Sequence, residues 1–172
     1  GETCDDQNTD ESDGCTSTCR AYPTDPPLAS CEDIRVHTSY QVPSGLYSID
    51  PDQDGESTLA YCDMETDGGG WTLMLSYDHV IGNNDALVKG LPTNPTDGYS
   101  HTYLSELGGE PGDIAEVRFW CQSSAHERTM HFKTDNTQVI QEAHYGTKFT
   151  WPSDWNTGFT ALEGHTAYLP AA

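Results

Sequence analysis

The sequence predicts an α+β fold: a small, disulfide-stapled antiparallel-sheet domain that follows a short cysteine-rich unit without a hydrophobic core. Three observations lead to this fold class. The 172-residue chain carries six cysteines, and it is rich in Asp, Thr, Ser and Pro, which favours disulfides and an oxidising compartment. Residues 114–120 and 129–133 alternate apolar and polar residues, as is typical of half-buried strands. Residues 1–21 contain no Val, Ile, Leu, Phe or Trp and cannot build a core of their own.

The N-terminal unit, residues 1–21, is predicted to depend on its cysteines for any fixed shape. Its order of Glu2-Thr3-Cys4-Asp5-Asp6-Gln7-Asn8, then Asp13-Gly14-Cys15 and a further Cys19, resembles the second half of a cysteine-rich repeat of large secreted myxobacterial proteins. Gln7 departs from the repeat, which has Gly there. Because the opening half of the repeat is absent, we expect the chain to begin inside a longer array. Gly1 accordingly is interpreted as a processed or trimmed start.

Residues 22–29 form the predicted linker between this unit and the main domain, residues 30–172. Pro23, Pro26 and Pro27 favour extended polyproline geometry and a fairly stiff spacer.

The main domain is predicted to open with a β-hairpin. Residues 46–49 and 58–61 have strand character, and the acidic turn at residues 50–56 joins them. Cys31 and Cys62 lie on either side of this hairpin, so we expect a disulfide between them. It would close a loop of about 30 residues and stabilise the fold by roughly 3.6 kcal/mol in the chain-entropy model.

Further elements follow the hairpin. Residues 71–75 predict a third strand, residues 114–120 and 129–133 predict two more, and residues 136–143 fit either a helix or a strand. A short helix is expected at residues 101–107, with Ser100 as its N-cap and Gly108 after its end.

Four segments of this domain together resemble the opening third of the fibrinogen-like C-terminal domain, which fibrinogen chains, ficolins and, more distantly, intelectins share. They are Cys31-Glu32-Asp33-Ile34, Ser44-Gly45-Leu46-Tyr47-Ser48-Ile49, Tyr61-Cys62-Asp63-Met64 and Gly68-Gly69-Gly70-Trp71. The resemblance covers residues 30–75, and the domain is short for the family, as if truncated at its C-terminus. The family's calcium loop and ligand pocket lie in the last third of the domain, where no segment after residue 140 matches. The resemblance therefore implies a fold and no binding residue.

The charge of the chain restricts its partners. It has 7 Lys and Arg against 28 Asp and Glu, a formal net charge of -21. Such a surface repels phosphate backbones and anionic lipid headgroups, so nucleic acid is not an expected partner. No apolar run approaches the roughly 18 residues that span a bilayer, so membrane insertion is not expected either. Calcium loading, solubility in a salty medium and attraction to a basic partner each account for the acidity.

Two acidic clusters are candidate calcium sites. Asp50, Asp52 and Asp54 fit the Asp-x-Asp-x-Asp-Gly opening of a calcium loop, in which alternating carboxylates converge on one hard cation. An EF-hand is excluded because loop position 12 is Tyr61 rather than Glu. Either a simpler calcium turn or a solvated acidic turn remains. The second cluster lies in the coreless unit and offers the carboxylates of Asp5, Asp6, Asp10 and Asp13, together with the side-chain oxygens of Asn8 and Glu11. These residues either hold calcium or are ordinary surface carboxylates.

No pattern indicates catalysis. His126 and His131 are five apart, which breaks the helical spacing of a zinc-protease motif, and no Gly-x-Ser-x-Gly elbow occurs. An aromatic group in the last third fits a platform for a sugar or acetyl group and fits core packing equally well: Tyr145, Phe149, Trp151, Trp155 and Phe159.

The leading hypothesis is a secreted, non-enzymatic recognition or adhesion module at the cell surface, lectin-like in binding glycan or acetylated ligands, or binding a protein. The alternative is a structural subunit of an extracellular assembly, in which the domain packs against copies of itself. The partner of Cys121 stays open: it either joins a cysteine of the N-terminal unit or is left unpaired.

Overall fold

A computed structural model describes residues 27–38, 42–78, 86–96, 98–123, 128–146 and 158–166. These residues fall into two compact units that divide between Thr102 and Tyr103. The N-terminal unit at residues 1–21 and most of the linker lie outside the described residues, so those boundaries and the repeat resemblance stay predictions.

The first unit is organised by an antiparallel sheet of three strands in the order β1-β2-β3: Gly45–Ile49, Thr58–Asp63 and Trp71–Thr72. The predicted hairpin is present, with Leu46 opposite Tyr61 and Ile49 opposite Thr58. Because side chains alternate along a strand, one face of this hairpin is buried and the other faces outward. The buried residues form the core: Cys31, Ile34, Val42, Tyr47, Ile49, Ala60, Cys62 and Met64.

A helix that the sequence analysis did not predict, α1 at Cys31–His37, packs onto this sheet. The Ser30 side chain caps it by accepting from the backbone N–H of Asp33 at 3.1 Å. Burial of Cys31 and Ile34 then holds the helix against the core. Two buried side chains in seven residues are too few for a recognisable helical period, so the capping residue Ser30 was the sequence signal for the start of this helix.

The glycine-rich turn between β2 and β3 is built around one carboxylate. Asp63 Oδ1 accepts from the backbone N–H groups of Glu65 and Thr66 at 3.1 and 3.0 Å and so orders the turn. Gly69 has φ 79°, and a Cβ there would lie 2.2 Å from the carbonyl oxygen of Met64. Only glycine permits both this backbone angle and this close approach.

The predicted third strand at residues 71–75 is wrong in its extent. The strand register with β2 covers Trp71 and Thr72, one more backbone hydrogen bond joins Leu73 to the carbonyl of Tyr61 at 3.0 Å, and the chain then leaves this sheet. Leu75–Tyr77 (β4) belongs to a second sheet of order β4-β6-β5, with Val88–Lys89 as β5 and Tyr99–His101 as β6. Strands β4 and β6 are antiparallel, whereas β5 and β6 are parallel.

The predicted helix at residues 101–107 is also wrong in its start. Ser100 and His101 pair in β6, and a single 3-10 turn occupies only Leu104–Leu107. Tyr103, not Ser100, occupies the N-cap position of that turn, and its side chain makes no capping hydrogen bond. Gly108 does end the turn in a left-handed conformation, as expected. Ser100 before an apolar run favours the start of a helix, but the pairing of β6 with β4 outweighed that local preference.

The second unit holds an antiparallel sheet of order β7-β8-β9: Val117–Ser123, Arg128–Thr134 and Phe159–Ala161. Phe132 on the central strand stacks on Phe119 at 5.1 Å and meets the edge of Phe159 at 5.7 Å between ring centroids. The ambiguous segment near residue 136 is helix α2, Thr137–Tyr145.

Helix α2 is defined at both ends and along one face. Asn136 caps it by accepting from Gln138 and Val139 at 3.0 and 3.3 Å, and Gly146 ends it with φ 64°. Val139 and Ile140 are buried against the unit. The predicted α+β class, with small and mostly antiparallel sheets and a disulfide, is thereby confirmed at that level.

Candidate functional site

The turn that joins β1 to β2 brings three predicted ligands together. One carboxylate oxygen from each of Asp50, Asp52 and Asp54 lies within 4.8 Å of the others. The strands on either side place them: Asp50 directly follows the buried Ile49, and the chain then turns outward before Thr58 begins β2. A group of carboxylates this close repels itself unless a cation or solvent separates the charges.

The three aspartates differ in their surroundings. Asp50 is 4% exposed, whereas Asp52 and Asp54 are exposed. Asp50 Oδ2 accepts from the backbone N–H of Gly55 at 2.9 Å. Its other oxygen, Oδ1, is buried and has no hydrogen-bond partner among the described residues. The sequence pattern treats these aspartates as equivalent, and only the packing distinguishes Asp50.

The remaining contacts fix the shape of the turn. The backbone N–H of Asp50 donates to the carbonyl of Leu28 at 2.9 Å, and the carbonyl of Asp50 accepts from Gln53 at 3.2 Å. Asp54 Oδ1 accepts from the backbone N–H of Glu56 at 2.8 Å. Gln53 adopts φ 56°, a left-handed angle that a turn with fewer restraints would avoid.

The nearest described cation in the sequence is already engaged. Arg35 Nε donates to Glu32 Oε2 at 2.7 Å on the surface of α1, and a second guanidinium nitrogen pairs with Glu32 Oε1. This hydrogen bonding, followed by charge attraction to the same carboxylate, raises the pKa of Arg35 above its ordinary value. Lys133 pairs with Glu116 at 3.1 Å, and neither this ion pair nor Arg35–Glu32 involves a carboxylate of the acidic turn.

The disulfide expected between Cys31 and Cys62 is present, with their Cα atoms 5.5 Å apart. Both residues are fully buried, so the bond ties the start of α1 to the middle of the core. Cys121 lies exposed on β7 and is free. Cys4, Cys15 and Cys19 lie outside the described residues.

Several other candidates lie partly or wholly outside the described residues. This holds for Asp5, Asp6, Asp10 and Asp13 of the second acidic cluster, and for Phe149, Trp151 and Trp155 of the aromatic group. Of the two described aromatics, Phe159 packs on Phe132, while Tyr145 is 57% exposed. His131 is buried, and its Nδ1 lies 2.8 Å from the carbonyl of Glu163, which is a structural contact.

Comparison with known proteins finds a family match within the first unit and three similar proteins. The family described as fibrinogen beta and gamma chains, C-terminal globular domain, matches residues 28–84. The fibrinogen beta chain of Gallus gallus is 41% identical over 66 residues, which are 37% of this chain and 14% of that protein. Fibrinogen-like protein A of Apostichopus parvimensis is 51% identical over 53 residues, 30% of this chain and 17% of that protein. Angiopoietin-2 of Bos taurus is 26% identical over 108 residues, 59% of this chain and 22% of that protein.

The chain spans less than a quarter of the length of these relatives. No solved structure matches it. The similarities support a fibrinogen-like domain, and residues 28–84 contain the hairpin, the disulfide and the glycine-rich turn described above. No helix among the described residues is long and apolar enough to cross a membrane.

Proposed function

We propose that this chain belongs to a secreted recognition module, without enzymatic activity, that binds a glycan, an acetylated ligand or a protein at a cell surface. The observation that carries the proposal is the fibrinogen-like match over residues 28–84. The matched relatives include a fibrinogen chain and an angiopoietin, and similarity to these extracellular proteins supports an extracellular location for this chain. Because one fold hosts many functions, the ligand has to come from experiment.

The chemistry of the chain supports an extracellular location. The buried Cys31–Cys62 disulfide belongs to the core of the matched segment, and such bonds persist in oxidising compartments. A net charge of -21 favours solubility there and disfavours anionic partners.

The polar side chains of the matched segment support a role in binding rather than catalysis. Ser30 caps α1 and Asp63 orders the glycine-rich turn, so both act on the backbone. Ser44 Oγ accepts from the backbone N–H of Met64 at 2.9 Å, which joins the start of β1 to the end of β2. A catalytic group would instead need an activating partner beside a cleft.

The test is a binding screen with the 172-residue chain against glycans, acetylated sugars and extracellular proteins, in calcium and in chelator. We expect saturable binding to one ligand class that Cys31→Ala/Cys62→Ala abolishes, since it removes the staple of the first unit. Cys121→Ala is the matched control and should bind like the parent. Turnover of a glycoside, ester or peptide substrate that a single Asp, Glu, His or Ser substitution removes would refute a purely binding function.

A structural subunit is the second candidate, and the outward face of the β1–β2 hairpin favours it. Leu46 and Leu59 are 40% and 47% exposed there, and their strand register places Tyr61 beside Leu46 on the same face. An apolar face of this kind suits contact with another copy of the chain. Sedimentation velocity over a range of concentrations tests it: assembly that Leu59→Ser weakens supports the subunit, and a monomer throughout excludes it.

A further inference from the structure

We propose that the β1–β2 turn is a calcium site whose protein ligands are the carboxylates of Asp50, Asp52 and Asp54. Their ligand oxygens lie within 4.8 Å of one another. An acidic turn alone does not establish a metal site, because exposed carboxylates are usually solvated. The deciding observation is the burial of Asp50 with one carboxylate oxygen unpartnered. This proposal does not depend on the recognition function proposed above.

Asp50 carries a carboxylate oxygen that lacks a counterpart. The residue is 4% exposed, and Oδ1 is buried without a hydrogen-bond partner among the described residues. An ionised carboxylate in such a position is costly unless a hydrogen bond, an ion or a metal compensates it. A bound cation satisfies the oxygen and offsets the repulsion among the three carboxylates.

The hydrogen bonds of the turn orient the ligands and leave oxygens free for the ion. Gly55 donates to Asp50 Oδ2, which leaves Oδ1, and Glu56 donates to Asp54 Oδ1. The bond from Asp50 to the Leu28 carbonyl ties the ligand backbone to the entry segment. Ligands that are held before binding lose less conformational freedom when the metal arrives.

The donor set selects calcium. All three side chains offer hard oxygen, and no His or Cys takes part in the described cluster, which disfavours zinc and copper. Magnesium demands near-ideal octahedral geometry and gives up its water reluctantly. Calcium accepts six to eight oxygens in irregular geometry, so exposed Asp52 and Asp54 can adjust and water can complete the shell.

The test is calorimetric titration of the chelator-treated 172-residue chain with CaCl₂, and separately with MgCl₂. We expect a calcium affinity that Asp50→Asn and Asp52→Asn each weaken by at least about tenfold, since ligand charge sets the affinity of such sites. Glu56→Gln is the matched control: it removes one negative charge from the same turn without touching the cluster, and we expect its affinity within about twofold of the parent. Any calcium bound by residues 1–21 persists in all variants and is thereby separated.

Thermal unfolding supplies a second readout. Calcium should raise the melting temperature of the parent and of Glu56→Gln. The part of this rise that comes from the β1–β2 turn should be absent in Asp52→Asn. In chelator, Asp50→Asn should melt no lower than the parent, because it removes the uncompensated buried charge. Because Asp52 is exposed, its substitution does not threaten folding and keeps the test valid if Asp50→Asn misfolds. Equal calcium binding by the parent and Asp52→Asn, or no calcium binding by the parent, would overturn the proposal. Magnesium binding as strong as calcium binding would overturn the choice of ion.

Discussion

Removal of the Cys31–Cys62 disulfide should destabilise the first unit by about 4 kcal/mol. The two cysteines are 31 residues apart in sequence. In the chain-entropy model a loop of that length restricts the unfolded chain by about 3.7 kcal/mol at 25 °C. Both side chains are fully buried in the core cluster, so Cys31→Ala/Cys62→Ala also leaves a small cavity there, which adds to the loss.

Urea unfolding of the double variant and the parent measures this loss. Because the described residues form two units, hydrogen exchange of peptides from β1 and β2 should accompany it to report on the first unit alone. The urea dependence of the free energy of unfolding should also steepen, since an unstapled chain exposes more surface when unfolded. That second change separates an effect on the unfolded state from a simple loss of packing.

Cys121→Ala is the control for the loss of sulfur from the protein. Cys121 is exposed and free on β7, so its substitution should change the stability by no more than about 0.5 kcal/mol. A loss below about 1 kcal/mol in the double variant, with an unchanged urea dependence, would refute the loop-entropy reasoning.

Two further substitutions test the turn and the second helix. Gly69→Ala should destabilise the first unit by about 2 kcal/mol or more, because its Cβ would lie 2.2 Å from the Met64 carbonyl oxygen. Gly68 is also at positive φ, but a Cβ there would meet no atom within 4 Å, so Gly68→Ala should cost only about 1 kcal/mol. Thermal unfolding measures both losses. Equal losses in the two variants would show that the close approach does not matter. Asn136→Ala should cost about 1 kcal/mol by removing the cap of α2, while Gln141→Ala on the exposed face of that helix should be nearly neutral. Peptide-resolved hydrogen exchange checks both variants. Unchanged protection of α2 in Asn136→Ala would contradict the cap assignment.

Local patterns predicted the elements that depend on near neighbours. The β1–β2 hairpin follows from two runs of strand character joined by an acidic turn, and the pairing of Cys31 with Cys62 follows from their places on either side of it. The three consecutive glycines at residues 68–70 permit a close backbone approach that no side chain would allow, and Gly69 makes that contact with Met64. The hairpin and the glycine turn involve residues that are close in sequence, so periodicity and turn chemistry contain most of the information. The two cysteines are 31 residues apart, and their pairing was predicted from the hairpin rather than from closeness in sequence.

Elements with few residues escaped that reasoning. Helix α1 has only Cys31 and Ile34 buried in seven residues, so no period of 3.6 emerges. Strand β5 has two residues and exists only because β6 lies beside it in parallel. Ser100 has the chemistry of a helix cap, yet pairing with β4 draws it into a strand. In each case contacts between distant residues decided the conformation.

The candidate calcium turn shows the same division. The sequence by itself determined that Asp50, Asp52 and Asp54 alternate along a turn, and hence that their carboxylates are able to converge. Only the tertiary structure decided that Asp50 is buried, at a point where Leu28 lies beside the end of β1 and accepts from the backbone N–H of Asp50. Burial depends on which chain segments meet in space, and no local spacing records that, whereas the order of carboxylates along a turn is written in the chain itself.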